Sequence, residues 1–184
     1  MRKSAILIIT VLLVCFFAAA LSGQEKDITT VFLVRHAEKV ADESDDPELT
    51  AAGQKRAEEL AYVLKDIELD AVFSTAYKRT LFTAQPSAKN QDLKVQTISS
   101  LRQNDLKEYV DTALEKYKGG KILIVSHSNI VHLLVKLIRR EEIDRRAIKN
   151  IDEKVYDDLF VVSFSKRENA EVLHLKYGER APLQ

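Results

Sequence analysis

Thr30-Val31-Phe32-Leu33-Val34-Arg35-His36-Ala37-Glu38 is the stretch on which the fold turns. Val31 to Val34 is a short apolar run of β-branched and aromatic residues, the pattern of a buried strand. It gives way at once to an arginine, a histidine and a glutamate that a core has no use for. In an open α/β sheet, ligands sit outside the carboxyl ends of the strands. An arginine beside a histidine in that position can hold and attack an anion. A strand that merely ends in a solvated charged loop would look the same, so the weight falls on the rest of the chain.

Working outward, an acidic loop, Asp42-Glu43-Ser44-Asp45-Asp46-Pro47-Glu48, leads to Thr50, which can cap a helix. Ala57, Leu60, Ala61 and Leu64 then share one helical face, with Lys55, Arg56, Glu58 and Glu59 on the other. Leu69 to Phe73 predicts a second strand ending at Ser74-Thr75. Tyr77 to about Ala88 predicts a helix that Pro86 should kink or end. Leu93 to Ile98 alternates apolar and polar residues, as an edge strand does. Leu106, Tyr109, Val110, Ala113, Leu114 and Tyr117 form a helical stripe stopped by Gly119-Gly120.

Lys121-Ile122-Leu123-Ile124-Val125 is the most apolar strand after the first two dozen residues and belongs at the sheet centre. It runs into Ser126-His127-Ser128-Asn129 and an apolar helix from Ile130 to Ile138. Leu159 to Phe164 and Glu171 to Leu175 predict two final strands. Strand and helix alternate up to about residue 140, the pattern of an α/β three-layer sandwich. Its central sheet is mostly parallel, helices cover both faces, and the closing strand pair adds an antiparallel edge.

The chain has 184 residues, enough for one domain with a sizeable core. Its 28 basic and 28 acidic residues balance, which gives no basic excess for nucleic acid and no acidic disordered tail. With 5 glycines, a glycine-rich nucleotide loop is not expected, and a single cysteine, Cys15, excludes an internal disulfide or a cysteine zinc site. Residues 1–23 have the layout of a secretory signal peptide: Arg2 and Lys3, an apolar run from Ala5 to Leu21, then small residues. The mature domain would be 24–184, exported to a periplasmic or extracellular space and free of the membrane. The rival is an uncleaved anchor, since an apolar run of about 17 residues is near the shortest that spans a bilayer.

Three strand ends carry functional groups: Arg35-His36, Ser74-Thr75 with Arg79 one helical turn on, and Ser126-His127-Ser128. In a parallel sheet all three lie on one edge. Two arginines and two histidines there make a cage for a doubly charged anion, most plainly a phosphate. The start of the helix after His127 adds backbone N–H groups and a positive dipole end. A histidine inside such a cage can act as a nucleophile toward the phosphoryl group.

Val34-Arg35-His36-Ala37-Glu38-Lys39, Asp46 to Gly53, Phe73-Ser74-Thr75 with Arg79-Thr80 and Thr83-Ala84, and Ser126-His127-Ser128-Asn129 occur in this order. Together they resemble the histidine phosphatase superfamily, the phosphoglycerate-mutase-like proteins, in its short variant beginning Arg-His-Ala-Glu. The resemblance runs from about Val31 to Val135 and continues weakly to the end. It implies that His36 becomes the phosphohistidine and that Arg35, Arg79, His127 and Ser128 hold the phosphate. No metal ion and no cofactor are implied, and the partner is a small phosphorylated substrate.

Two departures stand out. Ala37 replaces the usual glycine after the histidine, and Asp42 stands where an asparagine is common. Where many members carry a glutamate as general acid this chain has Gln103, so Glu38, Asp105 or His127 would have to serve. Asp105, with Glu108 three residues on, also reads as a helix cap. His132 and His174 read as lying outside the pocket. The implied activity is a phosphomonoester hydrolase. The alternatives are a phosphomutase, for which the chain lacks the length for lid insertions, a protein phosphohistidine phosphatase, or a phosphate-binding protein without catalysis.

Overall fold

The computed structural model describes residues 28–42, 44–144 and 149–179, so the expected signal peptide lies outside the described residues. The opening stretch forms strand β1 (Thr29–Arg35), and Val31, Leu33 and Val34 are fully buried. β2 (Ala71–Thr75), β3 (Val95–Ile98), β4 (Lys121–Ser126), β5 (Asp158–Phe164) and β6 (Glu171–Lys176) complete a six-stranded sheet in the order β3-β2-β4-β1-β5-β6. The first four strands are parallel, and β5 and β6 add the antiparallel edge.

Alternation along the strands divides the core in two. Val31 and Leu33 of β1, with Ile122 and Ile124 of β4, face helices α3 (Gln103–Lys116) and α4 (Val131–Ile138). Phe32, Val34, Leu123 and Val125 face the opposite layer, formed by α1 (Ala51–Val63) and α2 (Lys78–Lys89). Side chains on a strand point alternately to opposite faces. A strand that is apolar at every position therefore has to be covered on both sides, and the three-layer sandwich is the result.

Pro86 neither ends α2 nor stands at its boundary. The helix runs to Lys89, and the Asn90 N–H donates to the Pro86 carbonyl at 3.0 Å. The missing proline N–H falls in the last turn, where few further bonds depend on it. Arg56 is a second correction. It lies on the apolar side of α1 and is 4% exposed, because the C-terminal segment after β6 and Glu38 give its guanidinium partners.

The segment after β1 is fixed to the start of α1 by the Glu38 backbone. The Thr50 N–H donates to the Glu38 carbonyl at 2.9 Å, and the Thr50 hydroxyl caps α1 by accepting from the Gly53 N–H at 3.0 Å. A Cβ at Gly53 would stand 2.2 Å from that same Glu38 carbonyl oxygen, so only glycine lets the helix come this close. The cap thereby holds the chain that follows His36 in a single place.

Candidate active site

From β1 the connection leads to β2 on one side of β4. From β4 it leads past β1 to β5 on the other side, so the strand order reverses between the ends of β1 and β4. Such a reversal opens a crevice at the carboxyl ends. The His36 N–H donates to the Ser126 carbonyl at 2.8 Å and ties the two strand ends together. His36 and His127 leave these ends with ring centroids 5.6 Å apart. Thr75, at the end of β2, reaches the His127 Nε2 at 3.0 Å. The three strand ends named from the sequence do converge.

Arg35 is 1% exposed, and its guanidinium is locked in place. Nη1 donates to the carbonyls of Asp152 (2.9 Å) and Val155 (3.1 Å), Nη2 meets the Glu153 carboxylate, and the plane lies 4.3 Å from the Tyr156 ring centroid. The buried Nε has no partner among the described residues. A buried guanidinium N–H left unpaired is costly, and an anion in the crevice is the partner it fits. Arg79, in the first turn of α2, lies over the Tyr77 ring at 4.4 Å, and its Nη1 is 3.8 Å from Asp46. Tyr77 in turn meets His127 edge-on at 5.2 Å.

Both histidines are kept neutral. Burial pushes His36 down to about 3, with the positive charges of Arg35 and Arg79 adding to it. Burial, Arg79 and Arg35 likewise push His127 down to about 4. The Nδ1 of His36 lies 2.8 Å from the Ala37 carbonyl, which can only accept, so the ring proton is on Nδ1 and Nε2 carries a free lone pair. His127 is held through its Nε2 by the Thr75 hydroxyl at 3.0 Å, which leaves Nδ1 as the other hydrogen-bonding edge of the ring. The Thr80 hydroxyl donates to the Tyr77 carbonyl at 2.8 Å and lies 2.7 Å from the Thr75 hydroxyl, which it holds in place.

Neutral rings in a folded protein make stability depend on pH. Above pH 6.5 both rings are neutral in folded and unfolded chains alike and contribute nothing. As pH falls below 6.5 the unfolded chain takes up protons that the folded rings refuse, so stability is lost toward pH 4 and below. Each ring should cost about 2 kcal/mol at pH 5 relative to pH 7. Urea unfolding at pH 7 and pH 5 checks this: His36→Asn and His127→Asn should each reduce the pH-dependent loss, and an unchanged loss would contradict it.

Glu38 does not stand free as a proton donor. The Arg56 Nε lies 2.9 Å from both of its carboxylate oxygens and Nη2 lies 2.7 Å from one of them, while the same guanidinium reaches the carbonyls of Tyr177 (3.3 Å) and Glu179 (2.9 Å). The carboxylate is a strut between the post-β1 segment, α1 and the C-terminal segment. Removing Glu38 would leave the buried Arg56 guanidinium without its carboxylate, a destabilising change. Asp105 lies in the first turn of α3 and accepts from the Ser100 hydroxyl at 2.7 Å.

Ser128 does reach the pocket, where its hydroxyl donates to Glu153 at 2.6 Å. His132 bonds the Lys149 carbonyl at 2.5 Å and meets Phe160 edge-on, away from the crevice. His174 is more than an exposed strand residue: it stacks on Phe160 at 4.3 Å and bonds Asp158. Sequence reasoning missed Glu153 and Tyr156 altogether. They sit in an irregular charged stretch more than a hundred residues from Arg35, with no periodicity to mark them.

The family model of the histidine phosphatase superfamily (branch 1) matches residues 31–109, from β1 into α3. Over these residues the chain is similar to this superfamily. No curated protein matches it in sequence. Solved structures with the same fold align along most of their length. A mycobacterial glucosyl-3-phosphoglycerate phosphatase is 12% identical, with 82% of this chain and 98% of that one covered at a TM-score of 0.63. A phosphoglycerate mutase from Bacillus anthracis is 16% identical, with 83% and 95% covered at 0.63. The protein histidine phosphatase SixA, solved with tungstate, is 18% identical, with 80% and 96% covered at 0.62. At these identities the likeness speaks for the fold.

Proposed function

We propose that the protein is a phosphomonoester hydrolase that acts on a small phosphorylated substrate through a phosphohistidine at His36. The observation that carries this reading is the His36 ring itself. Its Nδ1 proton is engaged by the Ala37 carbonyl, its Nε2 lone pair is free, and burial keeps it unprotonated beside two arginines. Arg35 and Arg79 would neutralise the phosphoryl oxygens, and His127, held by Thr75, would donate a hydrogen bond to the group in flight. Phosphoryl transfer needs mostly positioning and charge neutralisation, and this set supplies both. Water would then release phosphate from His36.

Turnover of a chromogenic aryl phosphate, unaffected by EDTA and inhibited by vanadate, tests the reading. Protein that binds vanadate but turns nothing over would be a phosphate-binding member instead. A panel of phosphorylated metabolites would separate a hydrolase from a mutase, since a mutase returns an isomer rather than free phosphate. Export belongs to the same proposal. Sequencing the N-terminus of the mature product should find it near residue 24, and a product that still begins at Met1 would favour the anchor.

A further inference from the structure

A phosphatase reading of the crevice leaves one need unmet, a proton for the leaving group. Glu38 is committed to Arg56, Asp105 accepts from the Ser100 hydroxyl at the start of α3, and His127 is already assigned to the group in flight. Among the described residues, two other carboxylates meet the proposed phosphate clamps. Asp46, 3.8 Å from Arg79, also accepts the Lys78 N–H at 2.8 Å and so serves the start of α2. Glu153 is different. One oxygen meets Arg35 Nη2 and the other accepts from the Ser128 hydroxyl at 2.6 Å, both groups of the pocket itself.

Its backbone is held just as firmly. The Arg35 guanidinium grips the carbonyls on either side of it, at Asp152 and Val155, and Ile151 N–H donates to the Ser128 carbonyl at 3.0 Å. The side chain, by contrast, is 72% exposed. A fixed backbone and a solvent-facing side chain put this carboxyl beside Arg35 at the mouth of the crevice. That is the side from which a leaving group departs when His36 attacks from within.

We propose that Glu153 protonates the leaving group, and that without substrate its carboxylate holds the place of a phosphate oxygen on Arg35 and Ser128. This rests on the phosphatase reading. An incoming phosphate dianion takes over Arg35 and displaces the carboxylate, which then lies beside negative charge and takes up a proton from solvent. The His36 Nε2 lone pair forms the bond to phosphorus as the bond from phosphorus to the ester oxygen breaks. The electron pair stays on that oxygen, and the Glu153 proton goes to it, releasing the alcohol. In the second half the Glu153 carboxylate takes a proton from water as the water oxygen bonds to phosphorus. The bond to Nε2 then breaks, and its electrons return to the ring.

General acid catalysis contributes typically a hundredfold to ten-thousandfold, and it matters most for alkoxides, which leave poorly unprotonated. The experiment is a leaving-group series, alkyl to nitroaryl phosphates, on wild-type protein and Glu153→Gln, with vanadate inhibition measured alongside. The expected result is a steeper dependence on leaving-group pKa in Glu153→Gln, with the alkyl-to-aryl ratio of kcat falling by about a hundredfold or more. An unchanged ratio would overturn the proposal. If vanadate then binds more tightly, Glu153 is only a placeholder; if kcat falls equally for all esters, it only positions Arg35. Wild-type protein that turns over neither class would overturn the phosphatase reading, and this proposal with it.

Discussion

His36→Ala should lose turnover on the order of a million-fold in kcat, down to the background of the assay. A covalent nucleophile has no understudy in a displacement mechanism, and losses of that order are typical when one is removed. The fold should survive, because the ring belongs to neither of the two apolar clusters that cover the sheet. The variant should still bind vanadate, since Arg35, Arg79 and His127 remain. Steady-state rates, far-UV circular dichroism and vanadate titration check the three statements together. A folded variant that retains measurable turnover would mean that water attacks directly and that His36 only assists.

Arg79→Ala and His127→Ala should each lower kcat by roughly a hundred- to a thousandfold, the usual effect of removing one preorganised donor aimed at developing charge. Their signatures should differ. Arg79 offers a full charge, so its loss should weaken substrate and vanadate binding as well as kcat. His127 is neutral and its ring is held in orientation by Thr75 at 3.0 Å, so its loss should fall mostly on kcat. Thr75→Val, which removes the orienting hydroxyl, should reproduce part of the His127→Ala defect. Kinetics on one aryl phosphate measure all three, and near-normal turnover in either clamp variant would place that side chain outside the reacting group.

The contrast between His36 and Glu38, two residues apart, shows what a sequence can and cannot reveal. His36 was legible because an apolar strand ends there and the strand-end rule of α/β sheets places it on the functional edge. The fold was legible for the same reason, since β1 and β4 are apolar at nearly every position and require cover on both faces. The engagement of Glu38 was not legible because its partner, Arg56, lies on α1 at a position that helical periodicity assigns to solvent. Nothing local in the sequence says that a C-terminal segment will cover it. Glu153 and Tyr156 were invisible for a related reason. Their role is conferred by Arg35, which pulls an irregular loop over the crevice through hydrogen bonds to its backbone, and backbone acceptors leave no mark on side-chain identity.

The central claim is that the phosphoryl group passes through His36, and trapping that intermediate tests it most directly. Protein mixed with a labelled aryl phosphate and quenched in base during turnover should carry one label per chain, stable to alkali and lost in acid, on the peptide containing His36. The label should be absent from His36→Ala and should accumulate if water attack is slowed. A label on serine or aspartate, or none at all in protein that is turning substrate over, would contradict the account.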